Sequence, residues 1–275
     1  MNFAFSSNAF RRYNLIDAMQ AIAHTGYRGV EIMADIPHAY PPDMTYSEIR
    51  RIRNVLRKCH LEVSNINAFE LWAQGDTYHP SWIEKDPALR KMRLDHTLRV
   101  IDLAQELECP NISVEPGGPV DSEVVDDPHA VFIEGLWKIS DRARKAGVRV
   151  LIEPEPGLLI ENSCQFLDLL QHLDPDVYGL NFDIGHFFCV GENPAHLTGT
   201  LHHMTHHYHL EDIAASRVHE HLLPGYGAIN IREVLNAIDR TGYSGFVTVE
   251  LYTYEDRPVE AARLAFKYLE SIGCG

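Results

Sequence analysis

Eight short apolar runs recur along the chain, each followed by a segment of helical periodicity, and this alternation restricts the fold more than any other feature. The runs are Phe3–Phe5, Gly29–Met33, Leu61–Ile66, Asn111–Glu115, Val148–Glu153, Tyr178–Asp183, His206–Leu210 and Phe246–Leu251. Most are rich in Val and Ile, too short for helices, and bounded by Gly, Pro or Asn, as buried parallel strands are. Between them, Asn14–His24 places Leu15, Ile16, Met19, Ile22 and Ala23 on one face, and Tyr46–Lys58 repeats the pattern. Further helices are expected at Leu89–Leu107, Leu136–Ala146, Cys164–His172, Ala195–His203, Ile231–Asp239 and Val259–Ile272. Gly26 and Gly147 stand where helices should stop. AIAHTGYRGV (Ala21–Val30) and AIDRTGYSGF (Ala237–Phe246) share a helix end, a Gly stop, a Tyr and a new strand. No G-x-G-x-x-G or Walker-type loop argues for an open dinucleotide-binding sheet. The expectation is one α/β domain over residues 1–275, a (β/α)8 barrel, for which 275 residues is an ordinary length.

A formal net charge of −15 disfavours docking on nucleic acid or an anionic membrane face. No apolar run approaches the ~18 residues that span a bilayer. The start, MNFAFSSNAFRRYNL, lacks a basic segment followed by an apolar stretch, so no signal peptide is expected. Cys59, Cys109, Cys164, Cys189 and Cys274 are odd in number and show no C-x-x-C spacing; they are expected as buried thiols in a reducing compartment. The expected location is the cytoplasm. The expected partner is a small carbohydrate-like molecule, with neither nucleic acid nor membrane; a homo-oligomer is compatible with the sequence.

In such a barrel chemistry belongs at the C-terminal strand ends. Strand five ends at Glu153, strand six at Asp183 with His186 just beyond, strand seven holds His209, and strand eight ends at Glu250. Any one acidic strand end is ordinarily solvated. Four consecutive ends of metal-ligand type are not, because three crowded carboxylates repel one another and a divalent cation removes the repulsion. His207 shares a strand face with His209 by the period-two rule and is expected one layer deeper, as a hydrogen-bonded core residue. His219 and His221 form an H-x-H pair, a weak chelation signal on its own. The aromatic stretch from Glu70 to Asp86, with Trp72, Tyr78 and Trp82, suits a lid, a partner contact or a packed surface loop.

Together these stretches resemble the xylose isomerase-like TIM barrels, a superfamily of sugar-phosphate isomerases and epimerases that extends to endonuclease IV. The carriers are G-Y-R-G-V-E-I, L-I-E-P-E-P-G, L-N-F-D-I-G-H, H-L-E-D, P-G-Y-G-A-I and F-V-T-V-E-L, spread over nearly the whole chain. The resemblance implies one metal held by Glu153, Asp183, His209 and Glu250. It implies substrate contact for His186 and His221. The endonuclease IV branch implies a further ion at His186, His219 and His221. That branch also carries histidines at two earlier strand ends, where this chain has SNINAFE and ISVEPGG, with no His; Glu115 could serve there as an unconventional ligand.

Two functions follow. The first is a metal-dependent isomerase or epimerase of a sugar, sugar phosphate or related hydroxy-carbonyl compound. There Glu153 and Glu250 would move protons and His186 would hydrogen-bond the developing enediolate oxygen. The alternative is a metallohydrolase of phosphoesters with two or more ions. Three carboxylates and one imidazole suit Mn, Co, Mg or Zn.

Overall fold

In the computed structural model, which describes residues 1–121 and 124–273, eight parallel strands close into a barrel in sequence order. They are β1 (Asn2–Ser6), β2 (Gly29–Met33), β3 (Glu62–Asn67), β4 (Asn111–Val114), β5 (Arg149–Ile152), β6 (Tyr178–Asp183), β7 (Thr205–Leu210) and β8 (Phe246–Val249). Pairing of β1 with β8, Phe3 opposite Val247, closes the ring. Around it lie α1 (Leu15–Thr25), α2 (Tyr46–Cys59), α3 (Pro87–Glu106), α4 (Pro128–Ala146), α5 (Ser163–Leu170), α6 (Ile184–Cys189), α7 (Pro194–Leu201), α8 (Ile231–Arg240) and α9 (Pro258–Ser271). Gly26 and Gly147 end α1 and α4 in left-handed conformations, φ 114° and 67°. Among the described residues no helix is long and apolar enough to cross a membrane.

Side-chain parity divides the barrel into two chemistries. Phe5, Ile32, Ile66, Ile112, Val150, Phe182, Tyr208 and Val247 join the apolar core that packs against the helices. The intervening positions, Glu31, Asn65, Asn111, Ser113, Asn181, His207 and Thr248, are buried polar groups that bond to one another. His207 has the expected role: its ring bonds Asn181 Oδ1 at 2.8 Å and Thr248 Oγ1 at 2.7 Å. Polar atoms sealed in the barrel are costly without partners, so this layer forms as a network, in which Glu31 Oε1 is left without a hydrogen bond. Register shifts between Val30 and Glu31 and between Leu180 and Asn181 fall where polar residues enter the interior. Such irregularities re-aim side chains next to functional sites.

The loop after β3 is packed rather than loose. Buried Arg93 donates to the carbonyls of Ala68, Phe69 and Pro80 at 2.8–3.0 Å, and Trp82 packs edge-on against Phe132 in the core. The cysteines correct one expectation. Cys109 is buried and Cys59 and Cys189 are half-buried, but Cys164 is exposed, because α5 turns Phe166 and Leu169 inward and its second residue outward. Cys274 lies outside the described residues.

Candidate metal centre and cavity

Asp183 has two tasks, one for each carboxylate oxygen. Its Oδ1 accepts the His186 backbone N–H at 2.7 Å and caps α6. Its Oδ2 is buried without a hydrogen-bond partner. Glycine at 185 lets Glu211 come close enough to accept its backbone N–H; a Cβ there would lie 2.0 Å from Glu211 Oε1 and force that carboxylate to move. The D-I-G-H stretch is thus both a helix cap and half of a cluster.

Ligand-type atoms of Glu153, Asp183, His209 and Glu250 all lie within 4.8 Å of one another, and the four residues are buried. His209 Nδ1 faces the carboxylates, 2.8 Å from Glu153 Oε1, 3.6 Å from Glu250 Oε2 and 3.7 Å from Asp183 Oδ2. Its Nε2 donates to Glu31 Oε2 at 2.7 Å. A ligating imidazole ordinarily donates its second N–H to a carboxylate in this way, so Nδ1 is the ligand atom the site offers. Burial opposes the Glu31 charge, but His209 outweighs it and lowers the carboxyl to about 2. Burial likewise opposes the charge on His209, while Glu250, Glu31 and Glu153 hold its pKa well above the usual imidazole range. Burial drives the Glu250 carboxyl far up. Asp183 is held low against burial, chiefly by His186. Glu153 Oε2 and Asp183 Oδ2 have no partner. Unsatisfied buried oxygens beside an imidazole whose Nε2–H is tied to Glu31, leaving Nδ1 as the ligand nitrogen, form a donor set that fits a divalent cation.

A second cluster stands beside the first. His186, His219 and His221 also have ligand atoms within 4.8 Å of one another. His186 Nδ1 donates to the Pro154 carbonyl at 2.9 Å, and His221 Nδ1 to the Glu250 carbonyl at 3.0 Å. The Nε2 atoms of His219 and His221 are 3.2 Å apart. Burial pushes His219 down to about 2 and His221 to about 3, so both rings are neutral.

Above the centre lies a cavity of about 310 Å³, whose wall includes His186, His219, Glu250, Glu155, Tyr78 and Trp72. His219 reaches this wall; His221, expected at the substrate, is buried behind it against Tyr252. Glu115 lies outside both clusters. Its Oε1 accepts the Trp82 backbone N–H at 3.1 Å and sits 3.8 Å from Arg93 Nε, which turns it toward the β3 loop. Tyr78 OH donates to Glu155 at 2.8 Å, and burial raises the Glu155 carboxyl to about 7. Glu31 went unforeseen. Its signal is a lone carboxylate in the apolar run G-V-E-I-M. Asn8, which donates to Glu250 Oε1 at 2.8 Å, also went unforeseen and carries no sequence signal. In H-L-E-D, Asp212 accepts the N–H groups of Gly225 and Gly227 at 2.9 Å, which ties P-G-Y-G to β7.

A sequence profile described as xylose isomerase-like TIM barrel matches residues 19–272. The chain belongs to this family. Inosose dehydratase of Lacticaseibacillus casei is 26% identical over 281 residues, 92% of this chain and 88% of that one. Fructoselysine 3-epimerase of Shigella flexneri is 24% identical over 272 residues, 95% of this chain and 94% of that one. The crystal structure of the IOLI protein with a bound zinc atom superposes with a TM-score of 0.79 at 20% identity, over 99% of this chain and 98% of that one. Curated members of this xylose isomerase-like family thus include enzymes of isomerase, epimerase and dehydratase type.

Proposed function

We propose that the protein is a metal-dependent isomerase or epimerase of a sugar or related hydroxy-carbonyl compound. The observation that carries this reading is the buried cluster of Glu153, Asp183, His209 and Glu250 at the C-terminal mouth of the barrel. These four residues would hold one divalent ion; the zinc in the IOLI structure accords with that. When bound, the cation would supply Lewis acidity that polarises a substrate carbonyl. The chain's own groups do the rest. One of Glu153 and Glu250 takes the proton from the carbon next to the carbonyl, and the other returns it at the opposite face or the neighbouring carbon. Base catalysis of this kind contributes roughly 10²- to 10⁴-fold. The His186 ring, on the cavity wall and fixed at Nδ1 by the Pro154 carbonyl, has its pKa raised against burial by Asp183 and Glu155; in its protonated form Nε2–H donates to the enediolate oxygen. The net charge of −15 makes nucleic acid an unsuitable partner.

A second reading is supported by Glu155, a carboxyl raised to about 7 at the cavity wall. Such a group can protonate a departing hydroxyl, and the same α-proton removal then ends in loss of water, as the name of the dehydratase relative states for that enzyme. The test is solvent deuterium exchange at the carbon next to the carbonyl, followed by NMR across ketoses and oxo-acids. Exchange with retained oxygen count supports isomerisation; exchange with loss of water supports the second reading. Glu153→Gln and Glu250→Gln should each reduce exchange at least about 100-fold. Metal analysis of the wild type should give one ion per chain, unchanged in His186→Ala. A wild type with two ions, falling to one in that variant, would support the hydrolase instead.

A further inference from the structure

Arg11 is the one arginine or lysine among the described residues lining the cavity, and its neighbours there include Glu70, Glu155 and Glu250. It makes no ion pair or hydrogen bond with any described residue. Its guanidinium carbon instead lies 4.3 Å over the Trp72 ring. The next residue behaves differently: Arg12 pairs with Glu255 at 3.1 Å and with Asp256. In a chain with 39 acidic and 24 basic residues, an arginine left unpaired at a carboxylate-lined cavity is an open binding group.

The pair is held from one place, the loop that follows β2. His38 Nε2 donates to the Phe10 carbonyl at 3.1 Å and fixes the turn that carries Arg11. Asp35, fully buried, accepts the backbone N–H of Trp72 and that of Ala73 at 3.1 Å, which fixes the aromatic shelf. A guanidinium stacked on a ring keeps its in-plane N–H fork free, and that fork matches a carboxylate.

We propose that Arg11 recognises a carboxylate, so that the substrate is a hydroxylated oxo-acid whose carboxylate docks on the guanidinium while its carbonyl end faces the metal centre. This rests on the enolising function proposed above and names its substrate class. One cation matches one negative charge; a phosphate dianion among the cavity's carboxylates calls for more than one. The remaining wall of imidazole, phenol and carboxyl groups suits hydroxyls.

The test is calorimetric binding to the metal-loaded protein of the aldonates erythronate, ribonate and gluconate, of the matching alditols, and of the alditol phosphates. At least one aldonate should bind roughly tenfold or more tightly than its alditol and its phosphate. Arg11→Gln should cost that aldonate roughly 10- to 100-fold and leave the alditols unchanged, with Arg11→Lys in between. An unchanged melting temperature in both variants confirms that they fold. Alditol or phosphate binding as tight as aldonate binding, or aldonate binding indifferent to Arg11→Gln, overturns the proposal. Deuterium exchange on ketoses alone would leave the enolising function standing and remove this inference. Exchange on no compound would remove the enolising function itself.

Discussion

At the residue scale, Asp183 shows how a polar strand end serves structure and chemistry at once. Because Oδ1 caps α6 while Oδ2 faces the cluster, the two roles separate by substitution. Asp183→Asn keeps an amide oxygen for the cap and removes the charged ligand. Asp183→Ala removes both. Elemental analysis should find the ion lost in each variant. Chemical unfolding of the metal-free proteins should rank the alanine variant below the asparagine variant by about 1 kcal/mol, the ordinary worth of a side-chain cap. Equal metal-free stabilities would show that the cap contributes nothing, and full metal occupancy in either variant would remove Asp183 from the ligand set. Glu31 acts at the same scale with one oxygen, holding the His209 ring by its far nitrogen.

At the element scale, what could be read from the sequence follows from periodicity. All eight strands lie within a few residues of their apolar runs, and β2 and β6 coincide with them, because a buried parallel strand carries its signal locally. Glu153, Asp183, His209 and Glu250 were legible for the same reason, since strand ends locate the functional rim. Helix α6 escaped because I-G-H-F-F-C continues the apolar run of β6 and is too short to show a period. The start of α4 came early because Asp127 caps it with Pro128 in the first turn, ahead of the clearest apolar period. Arg11 and Trp72 meet through loops, and loops have no period to read. The loop holding that pair yields a prediction of its own. His38 is buried, accepts from Ser7 Oγ at Nδ1 and donates at Nε2, so the fold needs its neutral form. Burial lowers its pKa to about 4 from the ordinary 6.5. The unfolded chain therefore takes the proton first, and the stabilisation present above pH 6.5 is lost as pH falls from there toward 4. Between pH 7.5 and 5.5 the loss is about 1.3 kcal/mol. His38→Gln should shrink the difference in unfolding free energy between those two pH values by about that amount, measured by denaturant titration. Identical pH dependence in both proteins would show that His38 does not titrate on unfolding.

At the scale of the whole molecule, the barrel gathers like charges that the unfolded chain keeps apart. Glu31, Glu153, Asp183, Glu211 and Glu250 are all buried at the mouth, brought there from β2, β5, β6, β7 and β8 in a chain of net charge −15. Close by, His209 supplies the main compensating charge, and burial has already pushed the Glu211 and Glu250 carboxyls upward. Folding thus builds a strained acidic pocket, which a divalent cation relieves. A ligand that binds only the native state adds RT ln(1 + [L]/Kd), about 2.7 kcal/mol at a hundredfold excess over Kd. For a domain of this size that corresponds to a rise in melting temperature of roughly 5 °C. Protein stripped with a chelator should melt lower by about that interval, and adding back manganese or zinc should restore it. Asp183→Asn, with one anionic ligand removed, should respond weakly to the same additions. A wild-type melting temperature unmoved by both chelator and added metal would mean that the buried carboxylates are neutralised by protons alone, and the metal centre would have to be abandoned.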